Sequence, residues 1–137
     1  MAAFVPEISN GVLANNLNSM DPSRMIGHVS GESTFSEEHS HIFGIVCEGE
    51  VSLSSPSGSF KLFQGVYFSV PGRFQVNGNG KALLFERKGY RGLFQIGGPV
   101  ETSGRLCYID NCRSTVVVSP ARMGAPVLNL LTFPSSV

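Results

Sequence analysis

The sequence has few charged side chains, and its longest apolar runs are too short to cross a membrane. Lys, Arg, Asp and Glu make up 15% of the 137 residues, and the formal net charge is zero. An average soluble chain carries about 25% of such residues. Zero net charge excludes bulk electrostatic capture of nucleic acid or anionic lipid, and no run approaches the ~20 apolar residues of a membrane span. We therefore expect neither a nucleic-acid partner nor a membrane partner.

Cysteine is also scarce, and the N-terminus lacks a basic stretch followed by an apolar core, so no secretory signal is visible. The three cysteines are Cys47, Cys107 and Cys112. An odd number of cysteines without a secretory signal is typical of a reducing compartment. The sequence thus predicts a cytoplasmic protein with free thiols.

Turn-forming residues are abundant by comparison. The chain has 16 Gly and 8 Pro, and these residues separate short apolar runs. It also has ten Phe, which are available for a hydrophobic core. Asn77-Gly78-Asn79-Gly80 is a doubled hairpin signal. No window holds a helical stripe for three turns, and roughly ten strands at a spacing of 8 to 12 residues predict an all-β sandwich or barrel.

Charge is distributed unevenly along the chain. Residues 1–60 hold one base and seven acids, and residues 61–137 hold nine bases and three acids, so the balance changes from −6 to +6. This pattern favours two halves that interleave in one sandwich or meet across a dimer. A basic binding face around Arg87, Lys88 and Arg91 is the alternative, but these residues lack the interleaved aromatics of a nucleic-acid platform.

Two segments carry a more specific pattern. The first is His39-Ser40-His41 followed by residues 42–48 and Gly49. The second is Gly65, five residues, Pro71-Gly72 and residues 73–76. Together they resemble the two conserved motifs of the cupin superfamily, over about residues 25–97. The resemblance implies a cupin-type jelly-roll β-sandwich or barrel.

The resemblance also implies a metal site. Because residues i and i+2 of a strand face the same way, His39 and His41 are expected to point into the barrel mouth as ligands of Fe, Mn, Ni, Cu or Zn. Ile42 and Val76 stand where the family has its other two ligands. The candidate helpers are Glu37, Glu38, His28 and Gln75.

These residues support two main hypotheses of function. The favoured one is a small-molecule-binding cupin-like protein with a degenerate metal site, whose ligand pocket is lined by Tyr67 and Phe74. The alternative is a metal-dependent cupin enzyme, a dioxygenase or an isomerase, that uses His39 and His41. A third hypothesis is an interaction role, in which the barrel mainly dimerises or pairs with a second cupin half.

The expected organisation has three parts. An irregular N-terminal arm covers residues 1–24, a cupin-like barrel covers 25–123, and a C-terminal strand covers 124–137. The last segment resembles the strand that opens a second cupin half, as in the N-terminal half of a two-domain cupin protein. A strand that covers the chain's own sheet, or a partner's, is the other interpretation. Because residues 127–133 are apolar on both faces, we predict a homodimer with this strand docked against a sheet.

Overall fold

The computed structural model describes residues 7–101, 104, 106, 107 and 109–134, and their regular structure is almost entirely β. A 3₁₀ turn at Ile109–Asn111 is the exception. The strands are β1 Gly11–Asn16, β2 Ser23–His28, β3 Glu32–Phe35, β4 Ser40–Glu48, β5 Glu50–Ser55, β6 Gly58–Phe63, β7 Tyr67–Pro71, β8 Phe74–Asn77, β9 Lys81–Lys88, β10 Gln95–Gly97, β11 Leu106–Cys107, β12 Arg113–Val118 and β13 Leu128–Thr132.

The strands form three antiparallel sheets. The large sheet has the order β1-β2-β9-β4-β7-β10, the second sheet β3-β8-β5-β6, and the small sheet β11-β12-β13. Neighbours that are distant in sequence, such as β2 with β9 and β3 with β8, show that the chain passes repeatedly between the first two sheets. This arrangement confirms the predicted all-β jelly-roll sandwich.

The space between the first two sheets is filled by side chains. Phe68 is fully buried, and its ring lies so close to Gly44 of the neighbouring strand that a side chain there would overlap it. Phe68 meets Phe74 edge-on at 6.2 Å, and Phe74 stacks on Phe35 at 4.8 Å. The rest of this core consists of Ile26, Ile42, Val46, Val51, Leu53, Leu62, Val66, Val70, Val76, Ala82 and Leu84. The barrel interior is therefore a packed hydrophobic core.

The predicted irregular arm needs a correction within the described residues. Residues 11–16 form β1, which pairs with β2 from Gly11 opposite Gly27 to Asn16 opposite Ser23. The segment is largely exposed, and Gly, Ala and the two Asn among its six residues have little strand propensity. Backbone pairing with the edge of the large sheet supplies the order that the sequence pattern does not show. Residues 1–6 of the arm lie outside the described residues.

The C-terminal segment pairs with its own chain. β13 lies antiparallel to β12, and the small sheet packs on the outer face of the large sheet. The contact is made by Val118 and Leu128 against Phe43 and Tyr90. A second, smaller core therefore lies outside the barrel, on the side of the large sheet away from the second sheet.

Two further sequence predictions concern the membrane and the thiols. In the part of the chain that the structure describes, no helix is long and apolar enough to cross a membrane. The three cysteines are free thiols, of which Cys112 is buried while Cys47 and Cys107 are exposed.

Candidate functional site

The two histidines of the motif lie in different environments. His41 is a residue of β4 and is fully buried, whereas His39 lies in the turn before β4 and is exposed. Side chains alternate along β4, and Ile42 belongs to the barrel core, so His41 faces the outer side of the large sheet. The expectation that both imidazoles point into the barrel mouth is therefore corrected, because same-face spacing requires both residues to lie in the strand.

Hydrogen bonds fix the proton position on His41. The backbone N–H of Gly92 donates to Nδ1 at 2.9 Å, so Nδ1 is unprotonated. The proton must then be on Nε2, which donates to the Ser69 hydroxyl at 2.6 Å. Ser69 in turn donates to the carbonyl oxygen of Leu93 at 3.1 Å. This chain of bonds ties the loop after β9 to β4 and β7.

The surroundings of His41 keep its ring neutral. Its pKa is lowered from 6.5 to about 4, mainly by burial and to a smaller extent by the nearby positive charge of Arg91. The ring packs against Phe43 at 4.6 Å and Tyr90 at 5.2 Å between centroids. With both ring nitrogens hydrogen-bonded, His41 has no lone pair left for a metal.

His28 is satisfied in the same way. It is fully buried on the inner side of β2, and its Nε2 lies 2.9 Å from the carbonyl oxygen of Gly78. Because a carbonyl only accepts, Nε2 carries a proton, and Nδ1 lies within hydrogen-bond distance of the Ser33 hydroxyl, at 2.7 Å. His28 thus links β2 and β3 to the hairpin between β8 and β9.

The acidic candidates form ion pairs at the surface. Glu38 pairs with Arg73 and, at 3.1 Å, with Arg91. The hydrogen bond from Arg73 is the main cause that holds the pKa of the Glu38 carboxyl below its ordinary value. Glu37 lies 4.0 Å from the Lys88 ammonium group. Both carboxylates are therefore matched by cations of this chain.

Gln75 completes the set of candidate ligands and belongs to the second sheet, whereas His28 and His41 belong to the large sheet. It stands opposite Thr34 and Ser54 in the second sheet, on the strand β8 whose inward residues are Phe74 and Val76. Among the described residues, no group of three His, Cys, Asp or Glu side chains could hold a metal ion. The side chains present, with both buried imidazoles fully hydrogen-bonded, do not fit a divalent metal.

An ion pair with a buried carboxylate joins β2 to β9 in the large sheet. The Glu86 side chain is 2% exposed, and its Oε1 accepts from Arg24 Nε at 2.8 Å. Lys88 Nζ lies 3.8 Å from the same oxygen. Arg24 and Glu86 are opposite each other in the β2–β9 register. Because Arg24 and Glu86 are 62 residues apart in the sequence, no local sequence pattern predicts this pairing.

The predicted pocket residues Tyr67 and Phe74 do not share a pocket. Phe74 packs in the barrel core and borders a groove of about 390 Å³ beside the second sheet. Tyr67 packs in the outer core and borders a different groove of about 340 Å³, next to Pro99. The reason is the strand alternation of β7, where Phe68 faces inward and its neighbour Tyr67 must face outward.

A further groove of about 340 Å³ runs along the outer face of the large sheet, under the segment before and at the start of β13. Phe43 and Phe85, which are opposite each other in the β4–β9 register, belong to its lining. The groove is lined by Ser23, Phe43, Phe85, Glu86, Arg87, Pro126, Val127, Leu128 and Asn129. A shallower depression of about 230 Å³ that includes Met25 shares Ser23 and Phe85 with it. We call the larger depression the outer groove.

Arg87 is the cation of the outer groove. Its Nη2 donates to Asp21, while its Nε is buried and lacks a hydrogen-bond partner among the described residues. Phe85 and Arg87 are two residues apart in β9, so both face the outer side of the sheet. Sequence reasoning noted Arg87 as part of a basic cluster, but its neighbours in the groove come from distant parts of the chain.

Comparisons with known proteins were made by sequence and by structure. No protein-family model and no curated protein sequence matches the chain. The crystal structure of the putative glyoxylate induced protein from Pseudomonas aeruginosa matches with a TM-score of 0.56 at 18% identity, covering 83% of this chain and 49% of that chain. At this identity the likeness shows the fold.

Two more solved structures match less closely. Protein Ylba from E. coli has a TM-score of 0.47 at 20% identity, covering 69% of this chain and 48% of that chain. The Cnp3 cupin domain of Schizosaccharomyces pombe has a TM-score of 0.44 at 15% identity, covering 56% of this chain and 59% of that one. The chain spans about half the length of the Pseudomonas and E. coli proteins.

Proposed function

We propose that this chain is a small-molecule-binding protein of the cupin type whose site is the outer groove. The observation that carries the proposal is the groove itself, with apolar side chains on both walls and a few polar groups. Small-molecule sites commonly have volumes of about 300–1,000 Å³ and this mixture of linings, and the outer groove has about 340 Å³. The barrel interior is occupied by Phe68 and Phe74, so the outer groove is the better place for a ligand.

The absence of metal chemistry is part of this proposal. A stable metal site needs three or four protein ligands, and the alternative function as a metal-dependent dioxygenase or isomerase depends on His39 and His41. The bonds of His41 to Gly92 and Ser69 support a structural role for that ring.

We also propose a homodimer and a cytoplasmic location for this protein. The exposed Leu131 and Phe133 at the end of the small sheet are in keeping with a dimer.

Metal content separates the two functions. Protein prepared with Fe, Mn, Ni, Cu or Zn and then dialysed is expected to contain no stoichiometric metal by elemental analysis. His39→Ala serves as the probe because His39 is exposed, so its removal should leave the fold intact. Stoichiometric metal in the wild type that disappears in His39→Ala would contradict the proposed absence of metal and favour the metal-dependent alternative.

Binding in the outer groove is tested with a small neutral aromatic. We expect phenethyl alcohol at millimolar concentration to shift the NMR signals of Phe43, Phe85 and Leu128. Leu128→Ala removes part of one wall and should weaken this binding severalfold, since burying a Leu side chain is worth about 1.5–3 kcal/mol.

The matched control for this test is Leu131→Ala. Leu131 lies in the same strand as Leu128 but three positions on, so it faces the opposite side of the small sheet and is 40% exposed. Its removal should leave binding unchanged. Equal weakening by both variants, or shifts confined to other surfaces, would contradict the proposed site.

A further inference from the structure

We infer that the ligand of the outer groove is a carboxylate with an apolar tail, and that Arg87 binds its carboxyl group. This inference rests on the proposed function, namely that the outer groove is a small-molecule site. It adds the chemical class of the ligand and the residue that selects it.

The sheet register places Arg87 beside the apolar floor of the groove. Arg87 stands opposite Ser23 of β2 on one side and His41 of β4 on the other. The next outward-facing row of the same strands contains Phe85 and Phe43. Residues two apart in a strand are separated by about 6.8 Å, so the row that contains Arg87 lies beside the aromatic row along one groove.

One N–H donor of the Arg87 guanidinium has no hydrogen-bond partner among the described residues. Asp21 accepts from Nη2, but Nε is shut off from water and has no partner among the described residues. Buried donors without a partner are uncommon and cost free energy. A carboxylate accepts side-on from two N–H groups of one guanidinium, and this bidentate geometry is a property of arginine that lysine lacks. Because Nε is shut off from solvent while Asp21 holds Nη2, such a ligand would satisfy Nε by taking the place of Asp21 and turning the guanidinium toward the groove.

The charges around Arg87 favour an anion. The Glu86 carboxylate belongs to the buried pair with Arg24. The adjacent His41 ring is neutral at pH 7, because burial lowers its pKa to about 4. Asp21 is the competing carboxylate, and its side chain is 70% exposed, so water can solvate it when a ligand takes its place.

The apolar part of the groove determines the rest of the ligand. Phe43 and Phe85 on one wall and Leu128 on the other offer contacts for a hydrocarbon or aromatic tail. A tail in contact with these side chains leaves the head group at the Arg87 end of the groove. A small anion without a tail, such as acetate, would lose the apolar contacts, and a neutral molecule would lose the contact with Arg87.

The test compares three probes with one phenyl skeleton and different head groups. These are phenylacetate, phenethyl alcohol and phenethylamine, titrated into the full chain by NMR. We expect phenylacetate to bind about tenfold more tightly than the alcohol, the scale of a hydrogen bond to a charged group, and phenethylamine to bind more weakly than both. The Arg87 Nε–H signal should shift only with phenylacetate.

Variants assign the selectivity to Arg87. Arg87→Met should reduce the affinity for phenylacetate to that for the alcohol, whereas Arg73→Met, which removes a 66% exposed arginine from the turn before β8, should change neither. Asp21→Ala removes the acceptor of the Nη2 hydrogen bond and should strengthen phenylacetate binding severalfold, and it provides a second test if Arg87→Met folds poorly.

The outcomes distinguish this inference from the proposed function. Equal binding of phenylacetate and the alcohol, or selectivity that persists in Arg87→Met, would overturn the carboxylate assignment and leave the small-molecule site standing. If none of the three probes binds in the groove at tens of millimolar, the proposed function fails and the inference fails with it.

Discussion

Lowering the pH from 7 to 4 is expected to remove about 3 kcal/mol from the free energy of unfolding through His41 alone. His41 is buried as the neutral ring between Gly92 and Ser69, and its pKa in the folded protein is about 4 against 6.5 for an ordinary histidine. Between these two pH values the unfolded chain binds a proton that the native state does not bind. Stability therefore falls as the pH falls, by at most about 1.4 kcal/mol per pH unit.

Urea unfolding at a series of pH values measures this effect. The His41 contribution should be fully present above pH 6.5 and lost by about pH 4. Glu38 has a pKa below its ordinary value of 4.5, mainly because Arg73 donates a hydrogen bond to it, so its own contribution disappears only as the pH falls below that value. The range from pH 6.5 to 4.5 therefore reports on His41.

Two variants separate His41 from the other titrating groups. His41→Gln keeps hydrogen-bonding capacity but cannot titrate, and its stability should be lower at pH 7 and nearly independent of pH between 6.5 and 4.5. The control His39→Gln removes the exposed histidine of the same motif and should follow the wild-type profile. A wild-type profile that is flat in this range would mean that His41 is not buried as the neutral ring.

Replacing Arg24 by Met is expected to destabilise the fold by about 3–5 kcal/mol, the usual cost of leaving one member of a buried ion pair without its partner. Glu86 is 2% exposed, and Arg24 Nε is its partner at 2.8 Å. Lys88 Nζ, at 3.8 Å from the same carboxylate oxygen, offers only partial compensation. Chemical denaturation of the purified variant measures the loss.

The double variant Arg24→Met, Glu86→Leu provides the critical comparison. With both charges gone, no carboxylate is buried alone, and the double variant should be markedly more stable than Arg24→Met. Lys81→Met is the matched control, because Lys81 of β9 forms an exposed pair at 3.3 Å with Glu48 of β4, its other neighbour in the large sheet, where a loss of about 0–1 kcal/mol is expected. Equal losses in Arg24→Met and Lys81→Met would contradict a buried Glu86.

The fold could be predicted from the sequence because its signals are local. Short apolar runs with Gly and Pro between them predict short strands, and Asn77 to Gly80 mark the turn between β8 and β9 where the structure has it. Counting back from Gly49 also placed Ile42, rather than a carboxylate, at a family ligand position, and the structure has Ile42 in the barrel core. The alternation of inward and outward side chains along a strand depends only on neighbouring residues, so it can be predicted from the sequence alone.

The candidate site depended on contacts that no local pattern contains. The spacing of His39 and His41 indicates a shared face only if both lie in the strand, and β4 begins at Ser40. Which side of β4 faces the core, and what covers the other side, is decided by the packing of whole sheets.

The sequence by itself determined that this chain forms a β-sandwich from short strands, because alternation and turn residues act over a few positions. Only the tertiary structure decided that His41 is buried and neutral, that Arg24 meets Glu86, and that Arg87 shares a groove with Leu128. The physical reason is the antiparallel pairing of strands that are distant in the chain. The register of each pair brings together side chains from four separate segments, and burial then sets their protonation and their hydrogen bonds.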